Sequence, residues 1–400
     1  METRKYATMP EIPIQNRQWP ANRITVSPQW CAVDLRDGNQ ALPQPMSPQQ
    51  KHDYFNLLVD IGFKEIEIGF PSASEDDFNF SRELIEGGLI PDDVTISVLT
   101  QSRPHLINRT IDAVTGAKNV VIHQYIASSL LHHKYVFNMT EEEVVETAVN
   151  ACALIRNAAN ELRKKGYNVG YEFSPEEFTD TDIDFAVRLC CRVFETWKPE
   201  GSERIIMNLP MTVERRLPNE YADMIELFKQ KYPYGDNSIV SVHAHNDMGG
   251  AVAATEMALL AGAERVEGTL LGHGERTGNL DLITLAMNLE YLGVQTGLDF
   301  SRLSYIVEKV ETITGMPVHH RHPYSGHLVF TAFSGSHQDA INKALKQMDT
   351  LGSDFDGWKV PYLHVDPKSI GRSFEKYIRI NSQSGKGGIA YVMQTSFNID

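Results

Sequence analysis

Residues 238–250 read S-I-V-S-V-H-A-H-N-D-M-G-G. Ile239, Val240 and Val242 form a short β-branched apolar run of the kind that fills a buried strand. The run passes straight into His243-Ala244-His245 and Asn246-Asp247, then into glycines and a helical pattern. Side chains two apart on a strand share a face, so both imidazoles leave the strand end in the same direction. Two neutral imidazoles with carboxylate and amide groups nearby can hold a divalent cation. The plainer alternative is that one histidine packs while the other is solvated at a strand–loop junction.

Moving outward from this stretch, strand and helix alternate with little interruption. Apolar runs at 30–35, 65–70, 94–100, 119–126, 169–173, 204–209 and 265–270 read as further strands. Helical periodicity follows each strand, at 49–61, 74–87, 104–116, 140–165, 181–197, 218–231, 250–263 and 279–292. Ser47-Pro48 opens the first helix. Thr140-x-x-Glu143 gives the longest one a capping box, and Gly166 stops it. Eight such units predict an α/β chain built as a (β/α)8 TIM barrel over residues 28–296. A doubly wound open sheet is the alternative, but no G-x-G-x-x-G follows the first strand.

The flanks differ from the barrel. Residues 1–27, rich in Pro and Arg, read as an N-terminal arm laid over something else, a partner subunit being one option. Residues 297–400 read as a C-terminal α+β subdomain. Its predicted parts are a helix at 301–315, the histidine-rich run His319-His320-Arg321-His322-Pro323, a helix at 338–348 and a loop-rich segment at 352–388.

The chain has 400 residues, of which 42% are hydrophobic and 22% charged, as in an ordinary globular protein. Its net charge of −15 argues against non-specific nucleic-acid or acidic-membrane binding. No apolar run reaches the roughly 20 residues of a membrane span, and the N-terminus lacks a secretory core. Four cysteines, with Cys190 and Cys191 adjacent, make neither a metal knuckle nor a disulfide framework. A reduced, cytoplasmic protein is expected.

In a (β/α)8 barrel the chemistry collects where strands end. The predicted strand ends supply Arg36-Asp37, Glu67, His123, Ser174-Pro175-Glu176, Asn208 with Thr212, His243 with His245, and Gly274-Glu275-Arg276-Thr277-Gly278-Asn279. Asp37, His243 and His245 would make a two-histidine, one-carboxylate site, with Asn279 able to add an amide oxygen. Mixed N and O ligands with open positions suit Zn2+, Mg2+ or Mn2+ acting as a Lewis acid, whereas a closed structural zinc site normally recruits cysteine. Arg36 beside such a metal could neutralise a carboxylate or a developing enolate. Taken singly, Asp37-Gly38 is a common turn, Glu275-Arg276 an ion pair and Asn279 a helix cap.

These motifs resemble the metal site of the acyl-CoA Claisen-condensing barrel enzymes. Across residues 5–395 the chain is similar to the 2-isopropylmalate synthase family in its longer, bacterial and fungal form. Y-E-F-S-P-E at Tyr171–Glu176, Asn208-Leu209-Pro210, Phe333-Ser334-Gly335-Ser336-His337-Gln338-Asp339-Ala340 and the stretch 381–388 carry the likeness, together with Asn39 after Asp37-Gly38. The resemblance implies condensation of acetyl-CoA with 2-oxoisovalerate and water to give 2-isopropylmalate and CoA, the first committed step to leucine. It also implies Asp37, His243, His245 and Asn279 as ligands of a divalent metal. Arg36, His123, Ser174 and Thr212 would then bind the 2-oxo acid. Glu176, His337 and Tyr362, with Arg36, would be catalytic, His337 and Tyr362 often coming from a partner subunit. Arg372 and Lys386, in a glycine-rich setting, are candidates for the CoA phosphates.

Family members of this form continue into a leucine-binding regulatory domain, so leucine feedback through such a domain is not expected here. A homodimer is expected. Two alternatives stay open: a sibling synthase using another 2-oxo acid, of homocitrate or citramalate type, and a non-catalytic metal-binding paralogue. A methylene's difference in an apolar pocket is worth only about 1–3 kcal/mol, so the sequence does not separate the siblings.

Overall fold

Each of the eight apolar runs becomes a strand of one closed parallel barrel in the computed structural model, which describes residues 9–351, 357–376 and 393. The chain divides into two units, residues 1–298 and 299–400. In the first, the strands are β1 (Gln29–Ala32), β2 (Glu65–Glu67), β3 (Thr95–Gln101), β4 (Asn119–Ala127), β5 (Asn168–Glu176), β6 (Ile205–Met211), β7 (Ser238–Ala244) and β8 (Arg265–Gly268). They pair in chain order, and β8 closes on β1 with Gln29 opposite Arg265 and Ala32 opposite Gly268. The helices after them are α1 (Pro48–Ile61), α2 (Glu75–Glu86), α3 (Pro104–Val114), α4 (Glu141–Lys164), α5 (Ile183–Trp197), α6 (Pro218–Lys231), α7 (Ala251–Leu260) and α8 (Leu282–Tyr291).

Capping follows the sequence signals. Ser47 closes a reciprocal box with Gln50 at the start of α1, and Thr140 does so with Glu143 at the start of α4. Both boxes satisfy amide donors that would otherwise face no partner in the first turn.

Some boundaries differ from the prediction, for local reasons. β1 stops at Ala32 rather than 35 because the Val33 carbonyl accepts from the amides of Arg36, Asp37 and Gly38. That winds Asp34–Gly38 into a wide turn and lifts Arg36 and Asp37 off the strand. Asp34 itself is buried and accepts from Tyr54 Oη at 2.7 Å and from the Leu270 amide at 2.8 Å, tying the turn to α1 and to the exit of β8. β5 runs beyond Phe173 to Glu176, because it pairs with β4 along its whole length, Asn119 with Asn168 through Ala127 with Glu176. Helix α8 begins at Leu282 and is capped by Asp281, so Asn279 is left out of the helix. The short turns Leu130–His132 and His133–Phe137, between β4 and α4, carry no periodicity and were not predicted.

The described part of the N-terminal arm packs on its own barrel. Arg17 forms a two-pronged pair with Asp223 of α6 at 2.5 and 2.6 Å, and the Trp19 indole donates to the same carboxylate at 2.7 Å. The Asn22 amide donates to the Leu260 carbonyl of α7. Asp223, buried within the barrel's outer layer, finds its donors in the arm and so holds it there.

The second unit holds α9 (Leu303–Thr314), β9 (Thr331–Ala332), α10 (Gly335–Leu351) and β10 (Glu375–Lys376), with β9 and β10 paired in parallel. Lys386 and the motif at 381–388 lie outside the described residues. Among those described, no helix is long and apolar enough to cross a membrane. The four cysteines are free thiols, three of them buried.

Candidate metal centre and catalytic cavity

Three turns build the site at the carboxyl end of the barrel. The wide turn after β1 presents Arg36 and Asp37, while β7 carries His243 near its end and His245 directly after it. The loop after β8 then folds back on β7: His245 and Asn279 face one another as an isolated antiparallel bridge, and the Leu280 amide donates to Ala244. Gly278 permits this return. Its φ is +96°, and a Cβ there would lie 1.9 Å from the Gly272 carbonyl oxygen.

Ligand atoms of Asp37, His243 and His245 all lie within 4.8 Å of one another. Three polar atoms around this point are buried and find no hydrogen-bond partner: Asp37 Oδ2, His245 Nδ1 and Asn279 Oδ1. Buried acceptors are rarely left bare, since each costs about 1–3 kcal/mol. Asp37 and His245 belong to the ligand cluster and Asn279 is bridged to His245, so together these residues offer an N, O donor set fit for a divalent cation. His243 Nε2 stands 3.1 Å from Asp37 Oδ2 without forming a hydrogen bond, so two acceptor atoms face one another there. Burial, with His243 and the cations Arg276 and Arg36 nearby, pushes His245 down to about 2, so its ring is neutral and its lone pair available.

Behind these groups a hydrogen-bonded chain runs around the barrel interior. Arg36 Nε donates to Glu67 at 2.5 Å, and Glu67 Oε2 lies 2.7 Å from His123 Nδ1. His123 Nε2 meets Ser174 Oγ at 2.7 Å, and Asn208 Nδ2 donates both to Ser174 Oγ and to Glu267 Oε2. Glu267 Oε2 then meets His243 Nδ1 at 2.7 Å. Burial works to raise Glu67, but Arg36 and His123 outweigh it and hold the carboxyl at about 2. Burial likewise opposes ionisation of Glu267, and Arg265 with His243 overcomes it, keeping the group well below the usual range. An ionised Glu267 fixes the His243 proton on Nδ1 and turns Nε2 toward Asp37.

That orientation carries a prediction. Glu267→Gln is expected to weaken divalent-metal affinity by about 10–100-fold, measured by calorimetry, with the metal-free protein still folded. Unchanged affinity would remove Glu267 from this role.

The cavity over the cluster has a volume of about 660 Å³ and is lined by Arg36, Asp37, His123, Ser174, Glu176 and Thr212, among others. His123 reaches it with only its edge, being 2% exposed with both ring nitrogens engaged. Thr212 Oγ1 accepts from the Glu177 amide at 2.9 Å, which leaves its hydroxyl proton free to donate. Glu177 sits at a left-handed φ of +61°, held by His132 and Ser129. Burial, then the charge of Glu177, raises the Glu176 carboxyl above its ordinary value. Arg276 pairs with Asp247 at 2.6 Å and donates to the Thr212 carbonyl, so it braces the rim.

The remaining predicted residues belong to the second unit. His337 and Tyr362 stack on one another, ring centroids 3.9 Å apart, with Tyr362 at a φ of +63°. Arg372 Nη1 donates to the carbonyls of Tyr324 and Gly326. The sequence reading missed Arg265, Glu172 and Glu267. Their signal was present as charged residues within apolar strands, Arg265 and Glu267 two apart and therefore on one face.

Comparison with known proteins gives consistent matches. Residues 27–310 match the HMGL-like family, and residues 327–394 match the family described as alpha-isopropylmalate synthase, post-catalytic domain-like. The chain is 50% identical over 397 residues to a 2-isopropylmalate synthase of Rhodospirillum rubrum, covering 99% of this chain and 71% of that protein. It is 52% identical over 400 residues to a 2-isopropylmalate synthase of Schizosaccharomyces pombe, covering 100% of this chain and 68% of that one. Among solved structures, HMG-CoA lyase from Brucella melitensis superposes with a TM-score of 0.57 at 20% identity, covering 73% of this chain and 100% of the lyase, a likeness of fold alone.

Proposed function

The chain belongs to the HMGL-like family and, within it, to the 2-isopropylmalate synthases, and on that premise we propose that it condenses acetyl-CoA with 2-oxoisovalerate and water to give 2-isopropylmalate and CoA. It is an enzyme of amino-acid biosynthesis, making the carbon skeleton of leucine. The observation that carries the proposed site is the cluster of Asp37, His243 and His245 under one cavity, with Asn279 bridged to His245 and with Asp37 Oδ2, His245 Nδ1 and Asn279 Oδ1 all buried and bare.

Asp37, His243, His245 and Asn279 would hold Mg2+, Mn2+ or Zn2+. A bound divalent ion supplies Lewis acidity toward the ketone and carboxylate of the 2-oxo acid. Arg36 contributes a fixed positive charge, held in place by Glu67, next to the position where negative charge collects. The free hydroxyl proton of Thr212 suits the substrate carboxylate. Ser174 and His123, both buried, close the floor through their mutual hydrogen bond.

The second requirement is removal of a proton from the weakly acidic acetyl methyl. Glu176, His337 and Tyr362 form the proposed proton-handling set. A carboxyl raised by burial is a stronger base than a solvated one, which favours Glu176 for this task. Hydrolysis of the thioester then drives the reaction to completion. A homodimer working in the cytoplasm completes the proposal.

The test is release of free CoA thiol from acetyl-CoA with each of the three metals, comparing 2-oxoisovalerate, pyruvate and 2-oxoglutarate. Release that requires both metal and 2-oxoisovalerate is expected. Faster release with another acid would assign a sibling synthase, and none with any acid would sink the catalytic reading.

A further inference from the structure

The histidine-rich run of the second unit takes no part in the chemistry above, yet its fold is specific. His322 donates its amide to the His319 carbonyl at 2.8 Å, closing a turn, and Gly326 donates to the His322 carbonyl at 2.9 Å. The chain then doubles back so that the Leu328 amide donates to the His320 carbonyl at 3.0 Å. Gly326 sits inside this double turn, where a Cβ would lie 2.5 Å from the His320 carbonyl oxygen. Arg372 clamps it from outside through the carbonyls of Tyr324 and Gly326, at 2.6 and 3.0 Å. The backbones carrying His320 and His327 are thereby fixed side by side.

Their side chains meet in solvent. His320 Nδ1 and His327 Nδ1 stand 3.0 Å apart, with ring centroids at 4.2 Å and planes crossing at 72°. Both residues are exposed. Without a metal, such a contact is one hydrogen bond: one ring carries its proton on Nδ1 and the other offers a lone pair. Moving that proton to Nε2 of the same ring leaves two Nδ1 lone pairs facing one space, with no proton lost to solvent. Two imidazole nitrogens at about 2.1 Å from a metal, in neighbouring positions at a right angle, are roughly 3.0 Å apart. The observed separation has that spacing.

We propose that His320 and His327 form a second metal site, separate from the barrel cluster, that takes a late first-row divalent ion such as Cu2+ or Ni2+. Imidazole nitrogen with water in the remaining positions suits the square or tetragonal preference of these ions. Hard ions such as Mg2+ prefer oxygen and would leave it empty.

The experiment is titration of the full chain with Cu2+, followed by calorimetry and electron paramagnetic resonance. A His243→Ala/His245→Ala background removes the imidazoles of the barrel cluster. One equivalent is expected there, with hyperfine structure from two nitrogens. Adding His320→Ala or His327→Ala should each abolish that equivalent. Because the background could be poorly folded, the same substitutions are made in the otherwise unaltered chain, where each should lower the count by one and leave thiol release with Mg2+ unchanged. An unaltered count in these variants would overturn the proposal. So would loss in only one of the two, the mark of a lone imidazole.

Discussion

Replacing His245 by Ala is expected to lower turnover by roughly 10³-fold while leaving the metal-free protein folded. The two effects separate because of how His245 sits. Its Nδ1 is buried and bare, and burial keeps the ring neutral at working pH. Removing the ring therefore deletes an unsatisfied group from the metal-free fold, partly offsetting the cavity left behind. The metal-bound form, by contrast, would lose one of the two proposed imidazole ligands. Lewis-acid stabilisation is worth several kcal/mol, and about 4 kcal/mol corresponds to the expected factor. Divalent metal should raise the Tm of the unaltered chain, by linkage, and should raise that of the variant much less. Turnover within tenfold of the unaltered chain, or an undiminished metal-induced rise in Tm, would refute the assignment.

Much of this candidate site was legible in the sequence because the residues that compose it fall at strand ends, where period-two alternation breaks into polar residues. Asp37, His243 and His245 needed only the barrel topology to bring them together. Asn279 was less secure, since an Asn before a helix is most simply a cap. The fold takes the cap from Asp281 and leaves Asn279 for the cluster. The surface under the arm was not legible: a Pro- and Arg-rich segment does not announce which surface it covers, and Asp223, which holds it, lies 206 residues away from Arg17.

The charged interior was least legible. A hydrophobicity pattern treats Glu172, Arg265 and Glu267 as interruptions of buried strands. Only the closed barrel brings them together across its interior, fully buried, Glu172 from β5 and Arg265 with Glu267 from β8. Barrel interiors are ordinarily filled by branched apolar side chains. This one uses part of that space for ion pairs that end on His243, so stability and the geometry of the candidate metal cluster share the same residues.

Arg265→Met is therefore expected to destabilise the protein by about 3–5 kcal/mol in urea unfolding. The guanidinium is fully buried and donates to Glu65 at 2.6 Å, Glu267 at 2.8 Å, Glu172 at 3.2 Å and Ser241 at 2.7 Å. Methionine fills much of the volume but leaves three carboxyl groups without their cation. Glu172 already sits well above its usual range, because burial and then Glu267 outweigh Arg265, so it is the group best able to stay neutral. Glu267 is the reverse. Its depressed carboxyl stabilises the unaltered fold above the ordinary glutamate range, and that contribution is lost as pH falls through its folded value. Without Arg265 the Glu267 carboxyl moves upward, and the sign inverts: the variant's folded state then binds protons more readily than its unfolded state. The stability gap between the two proteins should accordingly be widest near pH 8 and narrow toward pH 5. Adding Glu172→Gln to Arg265→Met removes a carboxyl that must otherwise stay protonated, and should restore on the order of 1 kcal/mol at pH 8. A gap that stays constant with pH would mean that lost packing, rather than unpaired charge, sets the cost.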